Sequence, residues 1–288
     1  MKNDLNYQLI ANPAAGNGKT NKILSQVEKI FRENNCSFKT YVTTGAADAT
    51  TAARKAVKNG AEVVVAVGGD GTVNEVANGL VGTEAKLATI PAGTGNDFAR
   101  TLRMSKEIEK ACAEILTGEC RAIDLGKVLN RYFVNLVGVG FDGAVGNEIN
   151  QRNKFLPGPW PYLLAIFKVL FSYQPVQMKI SMDEQTLHCT PTLVAVGIGQ
   201  CCGGGIRLVP DAIQDDGLFD VCVIDSLGKL ETLYHLPKLL TAEHKKLDQV
   251  NIYRSREVKL EVAKELPLQM EGEVFLLKSC ILLLNLRL

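Results

Sequence analysis

The stretch VVVAVGGDGTVNEVANG, residues 63–79, decides how this chain is read. Five apolar residues, Val63–Val67, run without a polar break and stop at Gly68-Gly69-Asp70-Gly71. An unbroken apolar run bounded by glycine is the pattern of a strand buried on both faces, as in a parallel sheet. From about Thr72 the spacing turns helical, so a strand feeds directly into a helix start. Glycine admits positive φ and close approach of a ligand to the main chain. The first turn of a helix presents free N–H groups and a positive dipole end to an anion. An acid beside bound phosphates needs a cation between them, so Asp70 implies Mg²⁺. The local alternative is an ordinary strand-to-helix turn with Thr72 as N-cap.

Outward from this stretch, strand and helix patterns alternate. Strands are predicted at 6–13, 37–44, 61–68 and 85–91, and helices at 20–34, 48–60, 72–80 and 105–118. Such alternation with short connections argues for a parallel sheet covered on both faces. A second polar turn, IPAGTGNDFAR at residues 90–100, follows the next strand. Loops after neighbouring parallel strands emerge at one edge, where ligands bind, so the two turns converge.

Two other glycine motifs do not carry the chemistry they suggest. NPAAGNGKT, residues 12–20, ends like a Walker A loop but has Pro13 where that motif needs glycine. Proline has a fixed φ and no N–H, so it supplies neither the turn nor the donor. GVGFDG, residues 138–143, matches the dinucleotide-binding glycine pattern, yet no strand-end acid follows at the required distance. It reads as a tight turn.

From about residue 121 the texture becomes β-type, in RYFVNLVGVG, QMKISMD, TPTLVAVGIG, LFDVCVID and REVKLEVA. Helices are predicted only at 159–173 and 228–244 in this half. Runs of strands after an α/β half point to a second, largely antiparallel domain. The chain has 288 residues, 46% of them hydrophobic, and a formal charge of +1, a balance that makes no case for a nucleic-acid partner. Its opening residues carry no signal-peptide pattern, and no apolar run reaches the ~18 residues of a membrane span, so the expected location is cytoplasmic. The eight cysteines form no C-x-x-C pair and read as reduced thiols.

GGDGTVNEV with PAGTGNDFAR close behind, NPAAG, GVGFDG, GGGIRLVPDAIQDDGLFD at 203–220 and QMEGEVF at 269–275 together mark a family. The chain resembles the bacterial diacylglycerol-kinase-like lipid kinases, which share a catalytic domain with eukaryotic diacylglycerol, ceramide and sphingosine kinases. NAD kinases and phosphofructokinases are similar at Gly-Gly-Asp-Gly but lack the downstream set. The resemblance implies an N-terminal α/β nucleotide-binding domain and a C-terminal β-rich, β-sandwich domain, with the active site in the cleft between. The expected boundaries are 1–124 for the ATP-binding domain and 125–279 for the lipid-substrate domain. The last strand, about 280–288, is expected to return to the first domain.

The resemblance also carries roles onto positions. Asn12, Pro13, Ala14, Ala15 and Gly16 would form the first nucleotide loop. Thr43 would lie near the adenosine, with Thr44 leaving the register open. Gly69, Asp70, Gly71, Thr72, Val73, Asn74 and Glu75 would hold the phosphates of ATP, and Thr94 and Asn96 would complete the pocket. Asp70 and Asp97 would organise Mg²⁺ and water, helped by Asp124 and Glu273. Arg100 would face phosphate or lipid headgroup, or simply solvent. Asp216, with the main-chain carbonyls of Ile213 and Leu218, matches a structural metal loop. The late motif is commonly Asp-Gly-Glu in the family and reads Glu271-Gly272-Glu273 here. The general base is therefore divided between Glu271 and Glu273, with Glu273 favoured because it matches unchanged.

The implied reaction is Mg²⁺-dependent transfer of the ATP γ-phosphoryl group to a primary hydroxyl of a neutral lipid such as diacylglycerol. Residues 154–175, with the sole Trp, several aromatics and flanking lysines, suit a segment resting in a membrane interface, and equally a buried helix. The expected partner is thus a neutral lipid at a membrane surface, transiently visited, and the resemblance allows a homodimer. A soluble-metabolite kinase of NAD-kinase type and a non-catalytic nucleotide or lipid sensor are the alternatives.

Overall fold

The structure, a computed structural model, describes residues 5–151 and 160–285. The chain divides into two compact units, with the boundary between Ile123 and Asp124. In the first unit, β1 (Asn6–Ala11), β2 (Ser37–Val42), β3 (Val63–Gly68) and β4 (Lys86–Pro91) form a parallel sheet in the order β2-β1-β3-β4. Every residue of β3 is buried, as the unbroken apolar run requires. Helices α1 (Thr20–Glu33), α2 (Asp48–Lys58), α3 (Asp70–Leu80), α4 (Asp97–Thr101) and α5 (Ile108–Thr117) flank it. Leu9, Val65 and Val67 share one core with Val27 and Phe31 of α1 and Cys112 of α5. Alternate residues Ile10, Val64 and Ala66 are buried on the other face.

In the second unit the connections are antiparallel. Its strands are β5 (Leu125–Val128), β6 (Arg131–Phe133), β7 (Leu136–Gly140), β8 (Met178–Met182), β9 (Thr186–Cys189), β10 (Leu193–Gly197), β11 (Phe219–Ile224), β12 (Val250–Ser255), β13 (Glu257–Met270) and β14 (Glu273–Asn285). They follow the path β12-β11-β10-β7-β13-β14-β5-β6, with β8 on β13 and β9 on β8. The sheet closes over a core that includes Phe133, Ile180, Val196, Phe219, Leu260 and Leu277. Helices α6 (Phe141–Gln151) and α7 (Trp160–Ser172) cover the outer face at Leu136, Leu193 and Ala195. The predicted helix at 228–244 is broken at Pro237 into α8 (Lys229–His235) and α9 (Lys238–Thr241), because proline cannot continue the helix hydrogen bonds.

One expectation about the strands needs correcting. Residues 280–285 continue β14 and pair with β13 and β5 in the second unit. Main-chain pairing along a long hairpin holds them there. Residues 286–288 of the expected strand lie outside the described residues. GVGFDG is also more than a tight turn: β7 ends at Gly140 and α6 begins at Phe141. Since β7 pairs only antiparallel neighbours among the described residues, no dinucleotide-binding unit is present there. Among the described residues no helix is long and apolar enough to cross a membrane.

Candidate active site

At the C-terminal edge of the parallel sheet, three loops meet. The Asn12–Gly16 loop, the β3–α3 turn and the β4–α4 turn touch through bare main chain. A Cβ on Gly93 would lie 2.4 Å from Gly69 Cα, and one on Gly16 would lie 2.1 Å from the Ala92 carbonyl oxygen. Neither Gly68, Gly69 nor Gly71 has a positive φ. The sequence suggests glycine there for conformational freedom or ligand approach; the observed constraint is contact between loops. A side chain would push them apart.

Polar side chains tie the same loops together. Asn12 Oδ1 accepts the Ala14 N–H at 3.0 Å, and its Nδ2 donates to Thr72 Oγ1 at 3.2 Å. Helix α3 begins at Asp70, two residues earlier than the spacing predicts, and Asp70 Oδ1 accepts the Phe98 N–H at 3.0 Å. Asn96, in the left-handed region at φ 54°, clasps Gly93 twice, accepting its N–H at 2.8 Å and donating to its carbonyl at 2.9 Å. The first-turn amides of α3 have no carbonyl of an earlier turn to bond. They face outward from the sheet edge beside an acid.

Burial pushes the Asp70 carboxyl up from its usual range, against the lowering effect of the main-chain donors around it. Asp97, at the first position of α4, is buried, and its Oδ1 lies 3.8 Å from Arg100 Nε. Arg100 itself is exposed and donates to the Gly95 carbonyl at 3.1 Å. Two carboxylates at adjoining helix starts suit a hard cation such as Mg²⁺. Among the described residues no three His, Cys, Asp or Glu come together as a metal cage.

Other expected residues sit differently. Val73 and Asn74 are buried in α3. Glu75 turns away from the edge: its two oxygens accept the N–H groups of Ala47 and Ala49 at 3.1 Å, at the start of α2. It serves that helix N-terminus, where an acid is favoured. Thr43 is buried and its N–H donates to the Ala11 carbonyl of β1 at 2.8 Å, while Thr44 bonds Asp48 at the head of α2. Thr94 is exposed in the β4–α4 turn.

The second unit carries the remaining acids. β13 and β14 join through Glu271 and Gly272, at φ 51° and 87°. Positive φ at both central residues makes a type I′ hairpin turn, for which Asp-Gly and Asn-Gly are the favoured pairs. An aspartate would suit this place better, because a short polar side chain tolerates the left-handed region better than glutamate. Glu271 is buried, and its Oε1 accepts the Asn135 N–H at 2.7 Å. Glu273 instead pairs with Arg131, both guanidinium ends reaching its carboxylate. Asp124 is buried and its Oδ2 accepts the Gly217 N–H at 2.7 Å.

At the loop expected to hold a structural metal, Asp216 has protein partners. Its Oδ1 accepts the Leu218 N–H at 3.1 Å and its Oδ2 is taken by the Arg254 guanidinium. Sequence reading also passed over Asp142, the second residue of α6. Burial pushes its carboxyl up to about 6, and among the described residues Oδ2 has no hydrogen-bond partner. Only its place inside a glycine motif signalled it: a Cβ on Gly138 would lie 1.9 Å from that oxygen.

Comparison with known proteins follows the same division. The family pattern described as the diacylglycerol kinase catalytic domain matches residues 6–128. One described as a YegS C-terminal NAD kinase beta sandwich-like domain matches residues 135–277. A diacylglycerol kinase of Bacillus subtilis strain 168 is 32% identical over 269 residues, which cover 92% of this chain and 89% of that protein. One from Staphylococcus carnosus strain TM300 is 32% identical over 271 residues, covering 92% and 88%. A crystal structure of a candidate diacylglycerol kinase from Bacillus anthracis strain Sterne has a TM-score of 0.82 at 25% identity, over 98% of this chain and 93% of that one.

Proposed function

The chain belongs to the diacylglycerol kinase family, and from that premise we propose that it transfers the γ-phosphoryl group of ATP to a primary hydroxyl of a neutral lipid, diacylglycerol giving phosphatidic acid. The observation that carries this reading is the meeting of three loops at the sheet edge, with Asp70 at the head of α3. Residues 1–124 act as the nucleotide unit and 125–279 as the lipid-substrate unit.

Phosphoryl transfer depends on alignment and charge neutralisation more than on covalent help from the protein. The amides of Gly71 and Thr72 supply fixed donors for phosphate oxygens, and Asn12 and Asn96 hold the loops that carry them. Asp70 and Asp97 are the carboxylates that would hold Mg²⁺, whose chemistry is to neutralise charge on the phosphates. Of the two late acids, Glu271 is the stronger candidate for proton acceptor. A main-chain amide fixes its carboxylate, whereas Glu273 would first have to leave Arg131. The acceptor takes the hydroxyl proton as attack completes.

A membrane surface is the proposed place of work. Helix α7 buries Ala165, Ile166, Val169 and Leu170 but leaves Phe167 and Phe171 about half exposed, at 53% and 52%. Leu230 and Tyr234 of α8 are more exposed still, and Lys229 lies over the Phe171 ring, donating to its carbonyl at 2.7 Å. Apolar side chains interleaved with lysine suit an interface between lipid and water. The remainder of the 154–175 segment, residues 154–159, lies outside the described residues.

The test is ATP consumption in Mg²⁺ with diacylglycerol in mixed micelles, with NAD, and with neither. Turnover only with the lipid is expected. Turnover with NAD alone would move the protein to a soluble-metabolite kinase, a control made pertinent by the NAD kinase-like description of the second domain. ATP binding without any turnover would make it a sensor.

A further inference from the structure

The turn Pro210–Asp220 holds the Asp216 expected to bind a structural metal, yet that carboxylate already faces a cation of the chain's own. Buried Asp220 Oδ2 has no hydrogen-bond partner among the described residues. Asp216 gives one oxygen to the Leu218 N–H and the other to Arg254. Arg254 reaches it from β12, where the register sets Arg254 directly opposite Asp220 of β11. Its Nε lies 3.8 Å from Asp220 Oδ2, and Asp220 is buried. One guanidinium therefore faces two carboxylates, one from the loop and one from the strand that follows it. The planar fork of arginine suits such a shared site better than any other side chain.

The loop is held elsewhere by protein groups as well. The Gly217 N–H donates to Asp124 at 2.7 Å, the Asp124 N–H to the Gln214 carbonyl at 2.7 Å, and Lys245 to Asp211 at 2.6 Å. A divalent ion on Asp216 would have to displace the guanidinium or sit against it, and like charges at that range repel. We infer that Arg254 is the built-in cation of this loop, where the resemblance implied a structural metal ion. The second unit then folds without a divalent cation, and the divalent requirement of the protein is confined to its nucleotide.

The experiment uses the full chain without nucleotide, so its outcome is independent of whether the protein is a lipid kinase. Metal content is measured after dialysis, and thermal unfolding is followed with EDTA and with Mg²⁺. The wild type is expected to retain no stoichiometric divalent ion and to keep the same Tm in both. Arg254→Met is expected to lose several degrees, since it strips two carboxylates of their counter-ion. Should that variant fail to fold, Arg254→Lys, which keeps the charge but not the fork, is expected to show a smaller loss. One tightly held divalent ion per wild-type chain, a fall in wild-type Tm with EDTA, or an unchanged Tm in the variants would overturn the assignment.

Discussion

Gly69 and Gly93 in the first unit, and Gly272 in the second, are bare for different reasons. The first pair lack positive φ and are glycine because two loops touch: a Cβ on Gly93 would lie 2.4 Å from Gly69 Cα, and one on Gly69 3.2 Å from Gly93 Cα. Gly272 has open space around it and a φ of 87°, so its constraint is conformational. The edge of the parallel sheet is thus fixed by packing of main chain on main chain. The acid-bearing turn is fixed by the handedness of a hairpin. A glycine that prevents a clash is harder to replace than one that relieves strain, because the clash has nowhere to go.

The largest effect should fall on chemistry in the second unit. Glu271→Gln is expected to lower kcat by about 10²–10⁴ while leaving ATP affinity unchanged, the signature of a lost proton acceptor. Steady-state kinetics and nucleotide titration separate the two quantities. If Glu273→Gln does this and Glu271→Gln does not, the roles are exchanged.

Next comes the loop contact. Gly93→Ala should weaken ATP binding by about tenfold to a hundredfold, from roughly 1–3 kcal/mol of forced separation, with lipid binding retained. Calorimetric titration with ATP would measure it. An unchanged affinity would break the comparison, since the loops could then part freely.

Asp142 gives a pH-dependent effect of intermediate size. Its carboxyl is pushed up to about 6 from the ordinary 3.8, so the folded chain binds more protons than the unfolded chain between those values. Stability from this group is complete below pH 3.8, declines as pH rises toward about 6, and is lost above it, at a cost of at most roughly 3 kcal/mol. Asp142→Asn should therefore raise Tm at pH 8 relative to wild type, with the gap closing toward pH 4. A gap that widens in acid would contradict it.

The smallest effect is expected at Gly272. Gly272→Ala should cost about 1–2 kcal/mol of stability through left-handed strain alone, with ATP affinity untouched. Denaturant unfolding beside nucleotide titration checks both halves. A matching loss of ATP affinity would merge the two kinds of glycine that are distinguished here.

Much of this was legible in the residues. The continuous apolar run of β3 forces burial on both faces, and burial on both faces forces a parallel sheet with helices around it. From that sheet follows the edge where Asp70 and Asn96 come together. Local signals of this kind survive because strand, turn and helix start are written within a dozen residues. Pro237 carries the same kind of local signal, yet the helical pattern at 228–244 reads straight through it, and the structure breaks there.

What the sequence could not reveal is which partner each polar group takes, because those partners lie far along the chain. Glu75 looks like a phosphate ligand until α2 packs against α3 and claims its carboxylate. Nothing near Glu273 in the sequence announces Arg131, 142 residues away, as its partner. Asp216 looks like a metal ligand until the β11–β12 register brings Arg254 across. By itself the sequence determined the fold class and the family, since these rest on short-range periodicity and backbone chemistry. Tertiary structure alone decided the charge partners, because an ion pair depends on distance in space and strand pairing sets that distance.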